Sequence, residues 1–253
     1  MITRRGLILA APALLVKPAH AQMTGCQRGP CNPPAVANFI DPHWPNVKLL
    51  LGLNSGFADE SSANHGAPSI VGNPVIRTDQ SVFGGASAYF NGTSTFSFPD
   101  SNDWNLANRK FTIEFWYRQS STGVDNVIGQ WVSTVGDLGW VIASGSTLAI
   151  IVSTDGTNSL QITNSNATAA NIWYAACIDF DGTTYRFYIG GVLQKSTTTL
   201  HAAWNSSFPL VFGGGSGNKP YAGYLDEFRL TMDVARYASN SGYTVTTQPF
   251  PRG

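Results

Sequence analysis

From residue 47 onward the chain alternates short apolar runs with polar, glycine-bearing breaks. Twelve runs stand out, at 47–53, 87–92, 111–119, 126–132, 139–144, 147–154, 160–163, 173–180, 184–190, 192–196, 209–214 and 224–230. They are too short and too rich in Val, Ile, Phe and Tyr for amphipathic helices, so each predicts a strand. In FTIEFWYR the period of two puts Phe111, Ile113, Phe115 and Tyr117 on one face, toward a core. Thr112, Glu114, Trp116 and Arg118 then fall on the other face. Asp181-Gly182 and Gly190-Gly191 supply the positive φ angles of two-residue hairpins, so 173–196 predicts a three-strand meander. A dozen short strands with turns between them predict an all-β, two-sheet antiparallel β-sandwich of jelly-roll type. No internal repeat is evident.

Composition agrees with that picture: 12% charged residues, 12% aromatic, 26 Gly and 14 Pro favour turn-rich β structure. Formal net charge is zero, and no stripe of clustered Lys and Arg offers a nucleic-acid or anionic-membrane surface.

Ahead of the strands, residues 1–21 join Arg4 and Arg5 to an apolar run, Leu7–Val16, and to Ala19-His20-Ala21, a small-x-small cleavage pattern. Thr3-Arg4-Arg5-Gly6-Leu7-Ile8 is similar to a twin-arginine export signal. The run is shorter than the roughly 20 residues of a membrane span. Removing 1–21 would leave 12 basic against 15 acidic residues, because Arg4, Arg5 and Lys17 go with it. A cleaved signal predicts a periplasmic or extracellular protein, and a retained segment predicts an assembly arm. Residues 22–45 are Pro/Gly-rich and predict a linker, with the folded domain at 46–253. Cys26 and Cys31 are close enough to close a small disulfide loop in an oxidising compartment. Cys177, within a strand, predicts a buried free thiol.

The order of motifs resembles the laminin G-like, concanavalin A-like lectin/glucanase jelly rolls of bacterial and phage type. The motifs are LLLGLNSG (49–56), DESSANHG (59–66), FGGASAYFNG (83–92), FTIEFWYR (111–118), WYAACIDFDG (173–182), YRFYIGG (185–191) and GYLDEFRLTMDVARY (223–237). Together they span roughly residues 45–250. The resemblance implies a recognition domain, a virion component or a glycanase, and fold alone does not choose among them.

Catalysis fares poorly. A glycosidase needs two carboxylates about 5 to 9.5 Å apart on one face. The only glutamates are Glu60, Glu114 and Glu227, and no strand repeats acids in the alternating arrangement of the related glucanases. Asp179 and Asp181 have strand spacing, but Asp181 belongs to a turn. In a regular strand Asp226 and Glu227 point to opposite faces, with Asp226 on the side of Phe228 and Leu230 and Glu227 outward with Arg229. Glu114 and Glu227 then read as solvent-face ion-pair partners. The resemblance also implies a structural Ca2+ at Asp226, with Asn54 and Asp59 as co-ligands, although Asn54 stands where relatives carry Asp. A turn-bonding Asp226 without metal is the alternative.

Sugar recognition calls for exposed aromatic faces. Trp104, Trp131, Trp140 and Trp204 are the candidates, Trp204 as the most exposed, with core packing as the alternative role of each. Trp116 and Trp173 belong to the framework strands of the resemblance. The expectation is a non-enzymatic recognition or adhesion module for a surface glycan. The rivals are a phage tail, fibre or decoration protein with homo-oligomer or virion partners, and a secreted glycoside hydrolase.

Overall fold

The computed structural model describes residues 40–131, 136–163, 167–198, 203–214 and 219–253. The expectations for residues 1–21, for most of 22–45 and for Cys26 and Cys31 lie outside the described residues.

Among the described residues fifteen strands form two antiparallel sheets packed face to face. The larger sheet takes β1 (Val47–Leu51), β3 (Val75–Arg77), β4 (Ser87–Asn91), β6 (Phe111–Gln119), β11 (Tyr174–Phe180), β12 (Tyr185–Ile189), β13 (Val192–Thr197) and β15 (Ala222–Met232). Its order is β13-β12-β11-β6-β15-β4-β3, with β1 also on β15. The smaller sheet takes β2 (Ser69–Val71), β5 (Thr95–Phe98), β7 (Asp125–Gln130), β8 (Trp140–Ser144), β9 (Ala149–Ser153), β10 (Ser159–Thr163) and β14 (Leu210–Phe212), in the order β10-β9-β8-β7-β14-β5-β2. All twelve predicted runs are strands, and β11-β12-β13 form the predicted meander. The sequence reading missed β2, β3 and β5, which are three or four residues long and too short to show a period.

Phe111, Ile113, Phe115 and Tyr117 enter the core between the sheets, as their alternation predicts. Phe212 of β14 stacks on Phe96 of β5 within the smaller sheet at 4.7 Å and joins the two layers by meeting Phe228 of β15 edge-on at 4.9 Å. Such offset and T-shaped pairs add about 0.5–1.5 kcal/mol each beyond the area they bury. Cys177 is buried and unpaired, and burial pushes its thiol well above the ordinary range.

β15 organises the larger sheet. One edge of it runs along β6 for its whole length, whereas the other edge changes partner midway. Residues 222–225 pair with β4, and residues 228–231 pair with β1. Asp226 and Glu227 sit in the notch where β4 stops and β1 begins. A bulge falls there: Asp226 lies opposite Trp116 and Arg229 opposite Glu114, so β15 holds one residue more than β6 over the interval. Glu227 absorbs the excess with φ +46°, a left-handed conformation uncommon for a residue with a side chain.

Beyond β15 the chain runs as irregular segment 233–253 over the outer face of the larger sheet. Tyr237 and Tyr243 stack at 3.8 Å, and the Tyr237 hydroxyl donates to Glu114. Phe250 lies under the Arg229 guanidinium at 4.1 Å.

Candidate functional site

The bulge overturns the strand argument for the acid pair. Trp116 and Tyr224 point outward, and Asp226, opposite Trp116, is on their side rather than on that of Phe228 and Leu230. Its Oδ2 accepts from the amides of Val82 (2.7 Å) and Phe83 (3.1 Å), in a loop whose Phe83 ring packs edge-on against Trp116. Glu227 also reaches the outer side. Its Oε2 accepts from the Phe250 amide at 3.0 Å and meets Arg252 Nη1 at 3.4 Å. Neither side chain has exposed surface, so the expected solvent-face role for Glu227 is corrected. A regular strand would have separated these carboxylates; the extra residue puts both on one face.

Glu114 and Arg229 are likewise outward-facing but buried, because segment 233–253 roofs them. Arg229 donates to Glu114 Oε2 at 2.7 and 2.9 Å and to Asp41 at 2.9 Å. Arg236 closes the network on Asp41 at 2.8 and 3.0 Å. Burial pushes the Asp41 carboxyl up, but hydrogen bonds from Arg236 and the His43 amide and the two guanidinium charges hold it below its ordinary value. Two acids and two guanidiniums balance, so these buried charges are paired as burial requires. Asp41 and Arg236 were missed because nothing local marks them as partners of β6.

The notch differs from this network in being under-satisfied. Asp226 Oδ1, Glu227 Oε1 and Asn54 Oδ1 are all buried without a hydrogen-bond partner. Asn54 follows β1 and donates its amide to Gly52 O at 2.9 Å, while its oxygen lies over Gly84, two residues from Val82. A Cβ at Gly84 would stand 2.0 Å from that oxygen, and Gly84 has φ +63°, so both space and backbone require glycine. Burial pushes Asp226 up to about 6 against the pull of the two amides, and Glu227 up to about 7 against the pull of Arg252. Orphaned buried oxygens of one amide and two carboxylates fit a hard cation, which takes six to eight oxygen ligands and draws the rest from carbonyls or water. No group of three or more His, Cys, Asp or Glu suited to a metal occurs among the described residues, so Asn54 is needed to make the set.

Asp59 does not fit that set. Its Oδ1 accepts from the amides of Leu50 and Ser61, and its Oδ2 from the Ser61 hydroxyl and the His65 amide. It knots its own loop to β1. Glu227, whose Oε1 is buried without a partner beside Asp226, was not among the expected residues, and only the bulge puts it there.

The tryptophans divide. Trp104 and Trp140 are 0% and 1% exposed, joined by an indole bond from Trp140 Nε1 to Trp104 O at 3.1 Å. Neither offers a ring face to solvent, which corrects the expectation for both, since alternating strand faces do not mark which aromatics line the core. Trp131 is half-buried just after β7, and Trp204 is 42% exposed. Both belong to one end of the smaller sheet. Gln130, next to Trp131, donates to Ser206 O and Phe208 O, and Trp204 N donates to Ser153 O at 2.6 Å. The indole of Trp204 rests against Gly156, where a Cβ would lie 3.2 Å from the ring. Half-buried Asp137 accepts from Ser207, and exposed Asp155 from Thr157 and Asn158. Backbone and side-chain bonds from Asn158 hold Asp155 down at about 2. No helix among the described residues is long and apolar enough to cross a membrane.

With two jelly-roll sheets, a roofed outer face and an aromatic rim in place, the chain belongs to the concanavalin A-like lectin/glucanase superfamily, whose laminin G-type model matches residues 90–235, more than half of its length. No curated protein matches the sequence. Among solved structures, the binding domain of Paraclostridial Mosquitocidal Protein 1 is similar with TM-score 0.59 at 19% identity, over 77% of this chain and 50% of that one. Domain 4 of AbnA, a GH43 extracellular arabinanase from Geobacillus stearothermophilus solved with arabinotriose, is similar with TM-score 0.58 at 17% identity, over 78% of this chain and 96% of that one. The binding domain of botulinum neurotoxin serotype G gives 0.56 at 17% identity, over 80% and 49%. The chain thus spans about half the length of these toxin binding domains. At these identities the likeness is one of fold.

Proposed function

We propose that this chain is an exported, non-enzymatic recognition module that binds a surface carbohydrate, with Trp204 and Trp131 as the sugar-contacting rings. The observation that carries this reading is the exposed indole of Trp204, held by Gly156 and the Ser153 carbonyl at the open end of the smaller sheet. A rigid ring with polar groups at its edge is what a sugar's C–H face and hydroxyls require. Support also comes from the arabinotriose-bound arabinanase domain and from a botulinum neurotoxin DC binding domain solved with SialylT, both of this fold. The adjacent acids do not argue for hydrolysis, because Asp226 and Glu227 have no surface with which to reach a glycosidic bond.

A structural calcium belongs to the same proposal, held by Asp226, Asn54 and Glu227. Bound there, it would neutralise two buried carboxylates and tie the end of β1 and the 82–84 loop to β15. A glycan array run with the wild-type chain and Trp204→Ala tests the recognition reading. Binding that Trp204→Ala abolishes is expected; a blank array, or release of reducing sugar from a polysaccharide, would overturn it.

A further inference from the structure

The roof formed by residues 233–253 covers only part of the larger sheet's outer face. On the other side of the notch the outward positions of β4, β6 and β15 and the residue before β11 are half-exposed, except for Tyr224, which is buried among them. They are Tyr89, Trp116, Arg118, Tyr224 and Trp173, with Tyr224 6% exposed. The half-exposed rings of Tyr89 and Trp173 flank the buried Tyr224, at 4.9 and 6.3 Å from it, and form the aromatic floor.

Two guanidiniums lie on that floor. Arg118 sits over Tyr224 at 5.6 Å, and Arg77 of β3 over Tyr89 at 4.6 Å. Asp79, beside them, is already engaged at both oxygens, by Arg77 Nε at 3.1 Å and by the Tyr224 hydroxyl at 2.8 Å. Asp226, on the same face, is closed off by Val82 and Phe83. Arg118 has no ion-pair partner among the described residues. Arg77 commits only its Nε, and its side chain is 43% exposed. An open hollow of about 330 Å³, lined by Ile76, Arg77, Thr78 and Asp79, adjoins the floor.

A planar guanidinium stacked on a ring is desolvated on one side and keeps its in-plane donors for a carboxylate. An aromatic floor accepts the apolar face of a pyranose. We propose that this half-exposed face is a second carbohydrate subsite, selective for saccharides that bear a carboxylate, with Arg118 and Arg77 as the anion partners. The inference rests on the recognition function proposed above and names a ligand class that the Trp204 rim does not specify.

The test is calorimetric titration of the full chain with oligogalacturonate and with its methyl-esterified, neutral counterpart, repeated for Arg118→Ala, Arg118→Lys and Arg77→Ala. Binding of the acidic form at least tenfold tighter than the neutral one is expected in the wild type. That preference should vanish in Arg118→Ala, weaken in Arg77→Ala and survive only in part in Arg118→Lys, which keeps charge but not the planar fork. Arg77 is exposed, so its variant remains informative should Arg118→Ala fold poorly. No preference in the wild type, or a preference unchanged in Arg118→Ala and Arg77→Ala, overturns this subsite while binding of neutral glycans at Trp204 leaves the recognition function standing. A chain that binds neither probe and no glycan on an array overturns both.

Discussion

Asp226 and Glu227 are consecutive in β15 yet both reach the outer side of the same sheet, because Glu227 occupies a bulge with φ +46° where β15 exchanges β4 for β1. The exchange of partners and the burial of two carboxylates are one feature. A gap along one edge of β15 admits the 82–84 loop over Asp226, while Phe250 and Arg252 close over Glu227.

Protonation of this pair should be visible in stability. Both carboxyls are raised in the folded chain, to about 6 and about 7, so folding favours their neutral forms. Their contribution is present at low pH and is lost as pH rises through those values. In chelator, the melting temperature should fall between about pH 4 and pH 7, and the double variant Asp226→Asn/Glu227→Gln should flatten that slope. A slope unchanged in the double variant would show that other groups set it.

Calcium should reverse the balance at neutral pH. A ligand bound only by the folded state adds about 2.7 kcal/mol at a hundredfold excess over its Kd. For a domain of this size that is a rise of about 5 to 11 °C, at roughly 2–4 °C per kcal/mol. Asn54→Ala should weaken the effect. Absence of both heat and melting shift after chelation and readdition would remove the metal.

The roofed network predicts a different penalty. Arg229→Ala leaves Glu114 and Asp41 short of a cation under the roof, and breaking a buried pair in this way costs about 3–5 kcal/mol. Urea unfolding should show a loss of that order. A loss below about 1 kcal/mol, the range of an exposed pair, would mean that segment 233–253 does not cover the face in solution.

The two classes of tryptophan should part cleanly. Trp140→Ala empties a core site and should cost about 3–5 kcal/mol. Trp204→Ala removes an exposed ring and should change stability by about 0.5 kcal/mol or less while abolishing glycan binding. Equal destabilisation of both variants would contradict the assignment of Trp204 to the rim.

The sequence by itself determined twelve of the strands, though not the short β2, β3 and β5, because period-two alternation and Gly-Gly or Asp-Gly turns act over a few residues. Phe111, Ile113, Phe115 and Tyr117 were assigned to the core on that basis, and the family followed from motif order through to VARY. Tertiary structure decided what each outward position meets. Glu114 and Arg229 read as solvent-facing until a segment more than 100 residues beyond Glu114 covered them, and Trp104 and Trp140 read as candidates for a ligand until the second sheet closed over them. Asp226 and Glu227 depended on a bulge, which arises because a strand changes neighbours. Local alternation carries no record of that change, since the bulge is set by two distant strands competing for one edge of β15.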